Sequence, residues 1–430
     1  TLGYRFRPWT QAKAIAYGES IRRYNRDTDR ERGVDQAIRF HHRVVRAEWS
    51  GERARWTVEA KVGSGETVRM TCSFLSVCSG YYRYDEGHTP DFPDVDRFGG
   101  QVVHPQHWPE DLDYDCKRVV VIGSGATAVT LVPAMAERAG HVTMLQRTPT
   151  WMAAGPSRDR IANRLRKFLP GRLAYWLTRQ KNIRLRDYLF KRARNEPDKV
   201  ANFLTGLLKK ELGEDYPLDD FQPPYPPWDQ RLCLVPDSDF FNALKAGKAS
   251  VKTGHIDSFE QGGVRLASGE VLPADIVITA TGLKLALGGK VAITLGGEPL
   301  DWTERWFYRG CMFSNVPNLA IVFGYLNASW TLRADNNADY VCRVLNRMQD
   351  KRAEVVVPRL ADDHDLEEVE PFPFSSGYLQ RARHLVPKSA PTLPWRLNQD
   401  YLEDCKDFRK RPVDDGVLKF ERRPADARAA

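Results

Sequence analysis

A short apolar strand, a glycine-rich turn and the start of a helix follow one another at Arg118–Ala128, which reads RVVVIGSGATA. In this context a G-x-G-x-x-G/A turn holds a dinucleotide, because the first glycine permits the tight turn and the second lets a pyrophosphate approach the backbone. A small third residue lets the helix pack closely, and the helix N-terminus adds partial positive charge. The sequence therefore predicts an α/β domain whose cofactor-binding residues are Gly123, Ser124, Gly125, Ala126, Thr127 and Ala128.

The second strand of this unit indicates which dinucleotide binds. Val142–Leu145 is apolar and is followed by Arg147, 24 residues after Gly123. An acidic residue near this offset bonds the ribose hydroxyls of NAD, whereas an arginine accommodates the extra phosphate of NADP. Arg147 therefore favours NADP(H). The alternative is an ordinary surface arginine at the end of a strand.

Composition narrows the class of protein. The chain has 430 residues, 42% of them hydrophobic and 28% charged, which is typical of a globular protein with two or three domains. No apolar run reaches about 18 residues, so no transmembrane helix is predicted. The seven cysteines form no CxxC pair that would indicate a disulfide framework or a thiolate metal site. We therefore expect a cytoplasmic protein without a metal centre.

Positive charge is concentrated in one segment. Between Arg158 and Lys210 there are 16 Lys or Arg and only 4 Asp or Glu, so the rest of a chain with a total charge of +8 carries −4. Leu165, Phe168 and Trp176 recur near helical spacing, which predicts a helical insertion. Its basic face indicates solvation, peripheral contact with an anionic membrane, or contact with another subunit in a homo-oligomer. No motif accompanies it that would indicate nucleic-acid binding.

The segment before the glycine-rich turn carries a second pattern. It reads FGGQVVHPQHWP and has the form F-x-G-x-x-x-H-x-x-x-W-P, with fingerprint residues Phe98, Gly100, His104, Trp108 and Pro109. This resembles the fingerprint of Baeyer–Villiger monooxygenases, a class that uses FAD and NADPH to insert oxygen from O2. Further similar stretches follow in the same order: PWDQRLCLVP, ADIVITATGL, GYLNASWTLRAD and TLPWRLNQDYL. The resemblance covers nearly the whole chain and is strongest to the bacterial subgroup that includes the ethionamide-activating monooxygenase.

The resemblance implies an α/β fold of two Rossmann-like dinucleotide-binding domains, for FAD and NADP, with a helical insertion. We expect a partial FAD-binding domain at 1–112, and an NADP-binding domain at 113–282 that contains the insertion at about 155–222. Residues 283–430 would return to the FAD-binding domain and form a C-terminal segment. The chain has no second G-x-G-x-x-G, so we expect the FAD turn to lie upstream of Thr1. A noncatalytic NADP-binding fragment is the alternative.

Local patterns predict the elements of the first domain. Thr10 is a candidate N-cap for a helix over Gln11–Asp27. Three extended runs follow at Ile38–Trp49, Trp56–Val62 and Val68–Val77, and their β-branched content predicts a small meander of strands.

Arg231, His104 and Trp108 form the catalytic set that the resemblance implies. In the family, the fingerprint histidine and tryptophan hold and reorient the two domains. The related N- and S-oxidising flavin monooxygenases usually carry Tyr in place of Trp108. Arg231 resembles the arginine that the family places over the flavin. There a fixed cation stabilises negative charge that develops on oxygen, and a guanidinium keeps its charge at any working pH. The alternatives are a structural buried histidine at His104 and a surface pair between Arg231 and Asp229.

Asp275 with Ala280-Thr281-Gly282 resembles the family's ATG motif, in which a strand end and a glycine turn guide the chain between the nucleotide domains. Thr281 and Gly282 thus join the predicted cofactor-binding residues, and Leu283 stands where many relatives have Phe or Tyr. Asn327–Leu332, with Trp330, is expected at the flavin or the substrate pocket.

The implied reaction places one oxygen atom of O2 into a ketone, to give an ester or lactone, or onto the sulfur of a thioamide or sulfide. An N- or S-oxidising flavin monooxygenase is the nearest alternative. A flavin disulfide reductase would need a redox cysteine pair, and Cys72 and Cys78 have no flanking motif of that kind.

Overall fold

The computed structural model describes residues 2–422. Within that range the helices are α1 (Gly18–Glu31), α2 (Ala126–Ala136), α3 (Arg160–Phe168), α4 (Gly171–Asn195), α5 (Pro197–Leu212), α6 (Asp239–Lys245), α7 (Trp330–Lys351), α8 (Gly377–Arg381) and α9 (Tyr401–Lys410). The strands are β1 (His42–Ser50), β2 (Arg55–Val62), β3 (Thr67–Cys72), β4 (Leu75–Val77), β5 (Tyr82–Gly87), β6 (Gln101–Val103), β7 (Arg118–Ile122), β8 (His141–Gln146), β9 (Met152–Gly155), β10 (Cys233–Pro236), β11 (Ala249–Thr253), β12 (Ile256–Glu260), β13 (Gly263–Leu266), β14 (Val271–Pro273), β15 (Ile276–Thr279), β16 (Leu283–Leu285), β17 (Ala292–Leu295), β18 (Glu298–Pro299), β19 (Phe307–Tyr308), β20 (Met312–Phe313), β21 (Leu319–Ile321), β22 (Val355–Pro358) and β23 (Leu418–Glu421).

A five-stranded parallel sheet carries the glycine-rich turn. Its order is β11-β8-β7-β15-β6, and all neighbouring strands run in parallel. The central strands β7 and β15 are runs of β-branched residues with both faces covered, as is typical of parallel strands. Helices α2 and α6 pack on one face, and the antiparallel sheet β12-β13-β14 packs on the other. The predicted strands at Val119–Ile122 and Val142–Leu145, and the α/β class, are confirmed.

The fingerprint segment belongs to this same sheet. Strand β6 pairs with β15, with Gln101 opposite Ile276 and Val103 opposite Ile278. The segment therefore joins the edge of the dinucleotide-binding sheet although it precedes residue 113. The domain boundaries at residues 112 and 282 stay a prediction.

The other half of the chain contains the predicted meander. Strands β1, β2 and β3 are antiparallel neighbours in the sheet β18-β17-β1-β2-β3. The third predicted strand, Val68–Val77, is wrong as one element, because it breaks after Cys72. Strand β4 leaves the meander and pairs in parallel with β21, which precedes α7. Strands β4 and β21 form a separate two-stranded parallel pair.

The predicted first helix begins too early. Helix α1 begins at Gly18 and ends at Glu31, and Tyr17 rather than Thr10 precedes it, without a side-chain cap. The backbone N–H groups of Ala14 and Ile15 donate to the carbonyl of Ser157, at 2.7 and 3.1 Å. These tertiary hydrogen bonds replace the helical ones.

Helices α3, α4 and α5 form the predicted helical insertion, and α4 is its longest element, with 25 residues. Arg179 of α4 is buried and pairs with Asp335 of α7 at 2.5 Å, which ties the insertion to the other half of the chain. No helix within residues 2–422 combines the length and the apolar character that a membrane span needs.

Candidate functional site: a dinucleotide turn, a fingerprint histidine and an arginine beside aromatic rings

The glycine-rich turn has the geometry of a phosphate cradle. Gly123 has φ +130°, and a Cβ on it would lie 2.3 Å from the carbonyl oxygen of Ala280, so only glycine fits. Gly125 precedes the first residue of α2 and has no side-chain cap bond, and a Cβ on it would meet nothing within 4 Å. Open space therefore lies in front of a helix N-terminus, where unpaired backbone N–H groups and the helix dipole favour an anion. Ala128 is fully buried, as close packing of the helix requires.

The residues that follow β8 flank this turn. Ser124 Oγ donates to the Thr148 carbonyl at 3.1 Å, which fixes the turn against the residues after β8. Arg147 is exposed and forms no ion pair within the described range. Its guanidinium is thus free to meet a phosphate, as its position after the second strand predicts. The binding role of Arg147 stays a prediction.

The Thr281–Gly282 turn closes the end of β15. Thr281 Oγ1 donates to the carbonyl of His88, and the carbonyl of Gly282 accepts the His88 N–H at 3.0 Å. Gly282 has φ +105°, which favours glycine. Asp275, at the other end of β15, accepts from Arg118 through both oxygens, and therefore fixes the sheet away from the cradle.

His104 reaches from the fingerprint to this turn. Its Nδ1 accepts the backbone N–H of Gln106 at 3.2 Å, so the hydrogen lies on Nε2, which donates to the Gly282 carbonyl at 3.3 Å. Burial lowers the pKa of His104, while the bond to Gly282 opposes that shift. The imidazole is therefore neutral at neutral pH. A Cβ on Gly87 would lie 2.0 Å from the His104 ring, so the imidazole fits against β5 only because residue 87 is a glycine.

The remaining fingerprint residues anchor the segment. Phe98 is buried against the edge of the Phe259 ring. Gly100 lies on the backbone of Asp275, because a Cβ there would be 2.1 Å from its carbonyl oxygen. Trp108 packs edge-on against Tyr114 and on the core of the parallel sheet. The Pro109 carbonyl accepts from Leu112 at 3.3 Å.

Arg231 does not pair with Asp229, so that alternative was wrong. Asp229 pairs with Arg194 of α4, whereas Arg231 Nη2 donates to the carbonyl of Leu326 at 3.1 Å. Leu326 lies between β21 and α7. The structure thus places the predicted arginine beside the loop that leads to Asn327–Leu332.

Four aromatic residues, which we call the aromatic cluster, contact one another, and Arg231 acts electrostatically on Tyr82 among them: Tyr81, Tyr82, Trp330 and Tyr378. Tyr81 is buried and its ring centroid lies 4.7 Å from that of Trp330. The hydroxyl of Tyr82 donates to that of Tyr81 at 3.2 Å. Burial, and next the neighbouring Tyr378, raise the pKa of Tyr82 to about 12, while Arg231 opposes the shift. Both hydroxyls are therefore protonated donors at working pH.

Sequence reasoning missed most of this cluster. Tyr81 and Tyr82 come four and five residues after β4 ends, at the start of β5, and their place beyond the carboxyl end of a parallel strand was the available signal. Tyr378 had none, since it joins the cluster from a segment almost 300 residues later. Gln106 was also missed; its side chain donates to the Arg83 carbonyl of β5 at 2.8 Å.

The parallel sheet with its cradle, and the second parallel pair with a cationic and aromatic site, together define a nucleotide-dependent oxidoreductase of the paired-domain type. A family model for flavin-binding monooxygenase-like proteins matches residues 18–223. The chain is 48% identical over 427 residues to the FAD-containing monooxygenase EthA of Mycobacterium tuberculosis, with 99% of this chain and 87% of that protein covered. The probable FAD-binding monooxygenase AlmA of Acinetobacter baylyi is 43% identical, with 98% and 85% covered. The chain belongs to the flavin-binding monooxygenase-like family.

Solved structures share the fold at low sequence identity. An oxidised steroid monooxygenase bound to NADP superposes with a TM-score of 0.72 at 19% identity, over 96% of this chain and 86% of that one. The monooxygenase OTEMO in complex with FAD and NADP gives 0.65 at 20% identity, over 81% and 74%. These likenesses confirm the predicted architecture of paired dinucleotide-binding domains.

Proposed function

We propose that this protein is an FAD- and NADPH-dependent monooxygenase. It inserts one oxygen atom of O2 into ketones, to give esters or lactones, and oxidises the sulfur of thioamides or sulfides as a second substrate class. The observation that carries the proposal is the bond of Arg231 to the Leu326 carbonyl, in the loop after β21 that leads to Trp330 and its contact with Tyr81. Family membership and a relative described as FAD-containing support the flavin.

The cradle residues fit NADPH. Gly123 and Gly125 leave the backbone open in front of α2, and Arg147 provides an unpaired cation after the second strand. We infer that the helix N-terminus holds the pyrophosphate and that Arg147 binds the 2′-phosphate.

The loops after β4 and β21 fit FAD. Each loop has a buried polar atom without a hydrogen-bond partner, Ser79 Oγ after β4 and Asn327 Oδ1 after β21, and Gln399, whose Nε2 is also unpaired, binds Leu326 and Asn327. Unpaired buried polar atoms are costly, so a polar ligand at these loops would relieve them. When bound, NADPH supplies a hydride and FAD carries the electrons to O2.

Arg231 and the tyrosines define the chemistry of the substrate side. The guanidinium of Arg231 keeps its charge and stabilises negative charge on an oxygen that reacts beside it. The protonated hydroxyl of Tyr82 donates to Tyr81, so the N–H groups of Arg231 are the donors that a carbonyl or thiocarbonyl group would meet on this side. The rings of Tyr81 and Trp330 form an apolar wall that favours a flat substrate.

Replacing Arg231 tests the proposal directly. In purified protein supplied with FAD, NADPH, O2 and an aryl ketone or a thioamide, R231A should form no oxygenated product, and R231K should form little because it lacks the planar fork. NADPH-dependent bleaching of the flavin should persist in both. R192A, which removes an exposed arginine of α4, is the matched control and should retain product formation.

Product analysis separates the candidate reactions. Ester or lactone from the ketone supports Baeyer–Villiger insertion, whereas conversion of amines and sulfides alone supports an N- or S-oxidising enzyme. Ketone conversion retained by R231A would remove the role given to that arginine.

The α3–α4 corner supports a peripheral contact. Phe168, Leu173 and Trp176 are 76%, 44% and 55% exposed. Around them stand cations that form no ion pair within residues 2–422: Arg160, Arg164, Lys167 and Arg172. We propose that this face binds an anionic lipid surface, since apolar rings among basic residues favour the interface. The predicted cytoplasmic location stays a prediction.

Vesicle binding tests this face. The protein should co-sediment with vesicles that contain phosphatidylglycerol and not with pure phosphatidylcholine, and R164E/K167E should abolish the difference. R43E/K61E, at exposed positions of β1 and β2, is the charge-matched control. Binding of R164E/K167E to anionic vesicles as strong as that of the wild type would contradict the lipid proposal. Concentration-dependent dimers of the wild type that R164E/K167E does not form would show that the face contacts another subunit instead.

A further inference from the structure

An arginine from the C-terminal part of the chain lies over the dinucleotide turn. Nη2 of Arg381, on α8, is 3.9 Å from the position that a Cβ on Gly282 would take. Gly282 follows Ala280, whose carbonyl is in contact with Gly123. Arg381 thus stands beside the mouth of the cradle, although it is 99 residues beyond Gly282 in the chain.

Arg381 and Arg147 approach this mouth from different segments. Arg381 is exposed and, within residues 2–422, forms no ion pair. Partial shielding of its guanidinium from water, and next the charge of Arg147, lower the pKa of Arg381. Burial, and next the charge of Arg381, lower the pKa of His88, whose backbone N–H binds the Gly282 carbonyl. Arg381 and Arg147 thus lie close enough to repel each other, and neither forms an ion pair within residues 2–422, so an anion between them would be stabilised.

We propose that Arg381 is a second phosphate-binding residue for NADPH, which acts with Arg147 across the Gly123–Gly125 turn. This inference rests on the proposed function. A guanidinium presents a planar fork of N–H donors that matches phosphate oxygens. Cofactor binding would then fix the α8 segment against the cradle, and the Tyr378 ring with it, because that residue is on the same short helix.

Direct binding of the cofactor tests this without catalysis. NADP+ and NAD+ are titrated by calorimetry into the full chain supplied with FAD, as wild type, R381A and R381Q. Loss of a charged hydrogen bond should weaken NADP+ binding by about tenfold or more in both variants. R383A is the matched control, because Arg383 lies two residues on and pairs with Glu370. It should bind as wild type does.

The comparison of the two dinucleotides locates the phosphate. A loss confined to NADP+ assigns Arg381 to the 2′-phosphate, and an equal loss for NAD+ assigns it to the pyrophosphate. Wild-type affinity in R381A and R381Q overturns the inference while the proposed cofactor stands. Failure of the wild-type protein to bind either dinucleotide overturns both.

Discussion

Replacing Gly87 with alanine tests whether His104 depends on a gap in β5. The new Cβ would lie 2.0 Å from Cε1 and 2.3 Å from Nε2 of the imidazole, so the ring must move and lose its bond to Gly282. Overpacking costs about 1–3 kcal/mol and the lost hydrogen bond about 1 kcal/mol. The lower entropy of the unfolded alanine chain returns about 0.4–1 kcal/mol. We therefore expect the free energy of unfolding to fall by about 1–3 kcal/mol.

Thermal unfolding measures this change. At about 2–4 °C per kcal/mol for a domain of this size, the midpoint should fall by about 2–12 °C. Gly51 is the control, because a Cβ on it meets nothing within 4 Å and G51A should leave the midpoint almost unchanged.

A double-variant cycle then identifies the cause. If the cost of G87A comes from the imidazole, G87A in an H104A background should cost little more than H104A alone. The same loss in both backgrounds would refute the reasoning, because it would place the cost in the backbone of β5 rather than in contact with His104.

Three further predictions concern other parts of the molecule. G123A should abolish NADP+ binding in calorimetry, since its Cβ would lie 2.3 Å from a backbone carbonyl, whereas G262A, which meets no atom within 4 Å, should bind normally. Burial lowers the pKa of His104, so the folded state binds fewer protons than the unfolded state. The stability that depends on the neutral imidazole is fully present above about pH 6.5, the ordinary pKa of histidine, and is lost as the pH falls through the lower pKa of the folded state. H104Q should therefore flatten the fall in unfolding midpoint between pH 7.5 and 5. D404A removes the partner of the buried Arg333 and should lower the free energy of unfolding by about 3–5 kcal/mol, measured by denaturant unfolding. D275A breaks a half-exposed pair with Arg118 and should lower it by about 1 kcal/mol or less.

Local patterns made the dinucleotide cradle predictable. The β7 strand, the turn and α2 are contiguous, so hydrophobicity and glycine spacing determine their structure together. The break in the predicted Val68–Val77 strand was not predictable, because apolar residues continue to recur after Cys72, at Phe74, Leu75 and Val77, while β4 changes sheet. Only the pairing of β4 with β21, more than 240 residues on, determines that change.

The candidate site also has features that the sequence predicted and features that it could not predict. Arg231 could be predicted as a cation from resemblance, but its partner could not, since Leu326 lies 95 residues away in the chain. The contact between His104 and Gly87 had no sequence signal either. A glycine in a strand indicates a close approach without naming what approaches.

One short ribbon connects the fingerprint to the site of Arg231. Strands β5 and β16 are antiparallel, with Gly87 opposite Leu283 and Tyr82 opposite Leu285. His104 contacts the Gly87 end of this ribbon, and Tyr82 of the aromatic cluster is at its other end. Between these two pairs β5 makes five residue steps and β16 makes two, so the ribbon is irregular there, and His104 contacts the same short element that carries Tyr82. We therefore propose a positioning role for His104, in which its contact with Gly87 holds the ribbon and so the place of Tyr82 in the aromatic cluster.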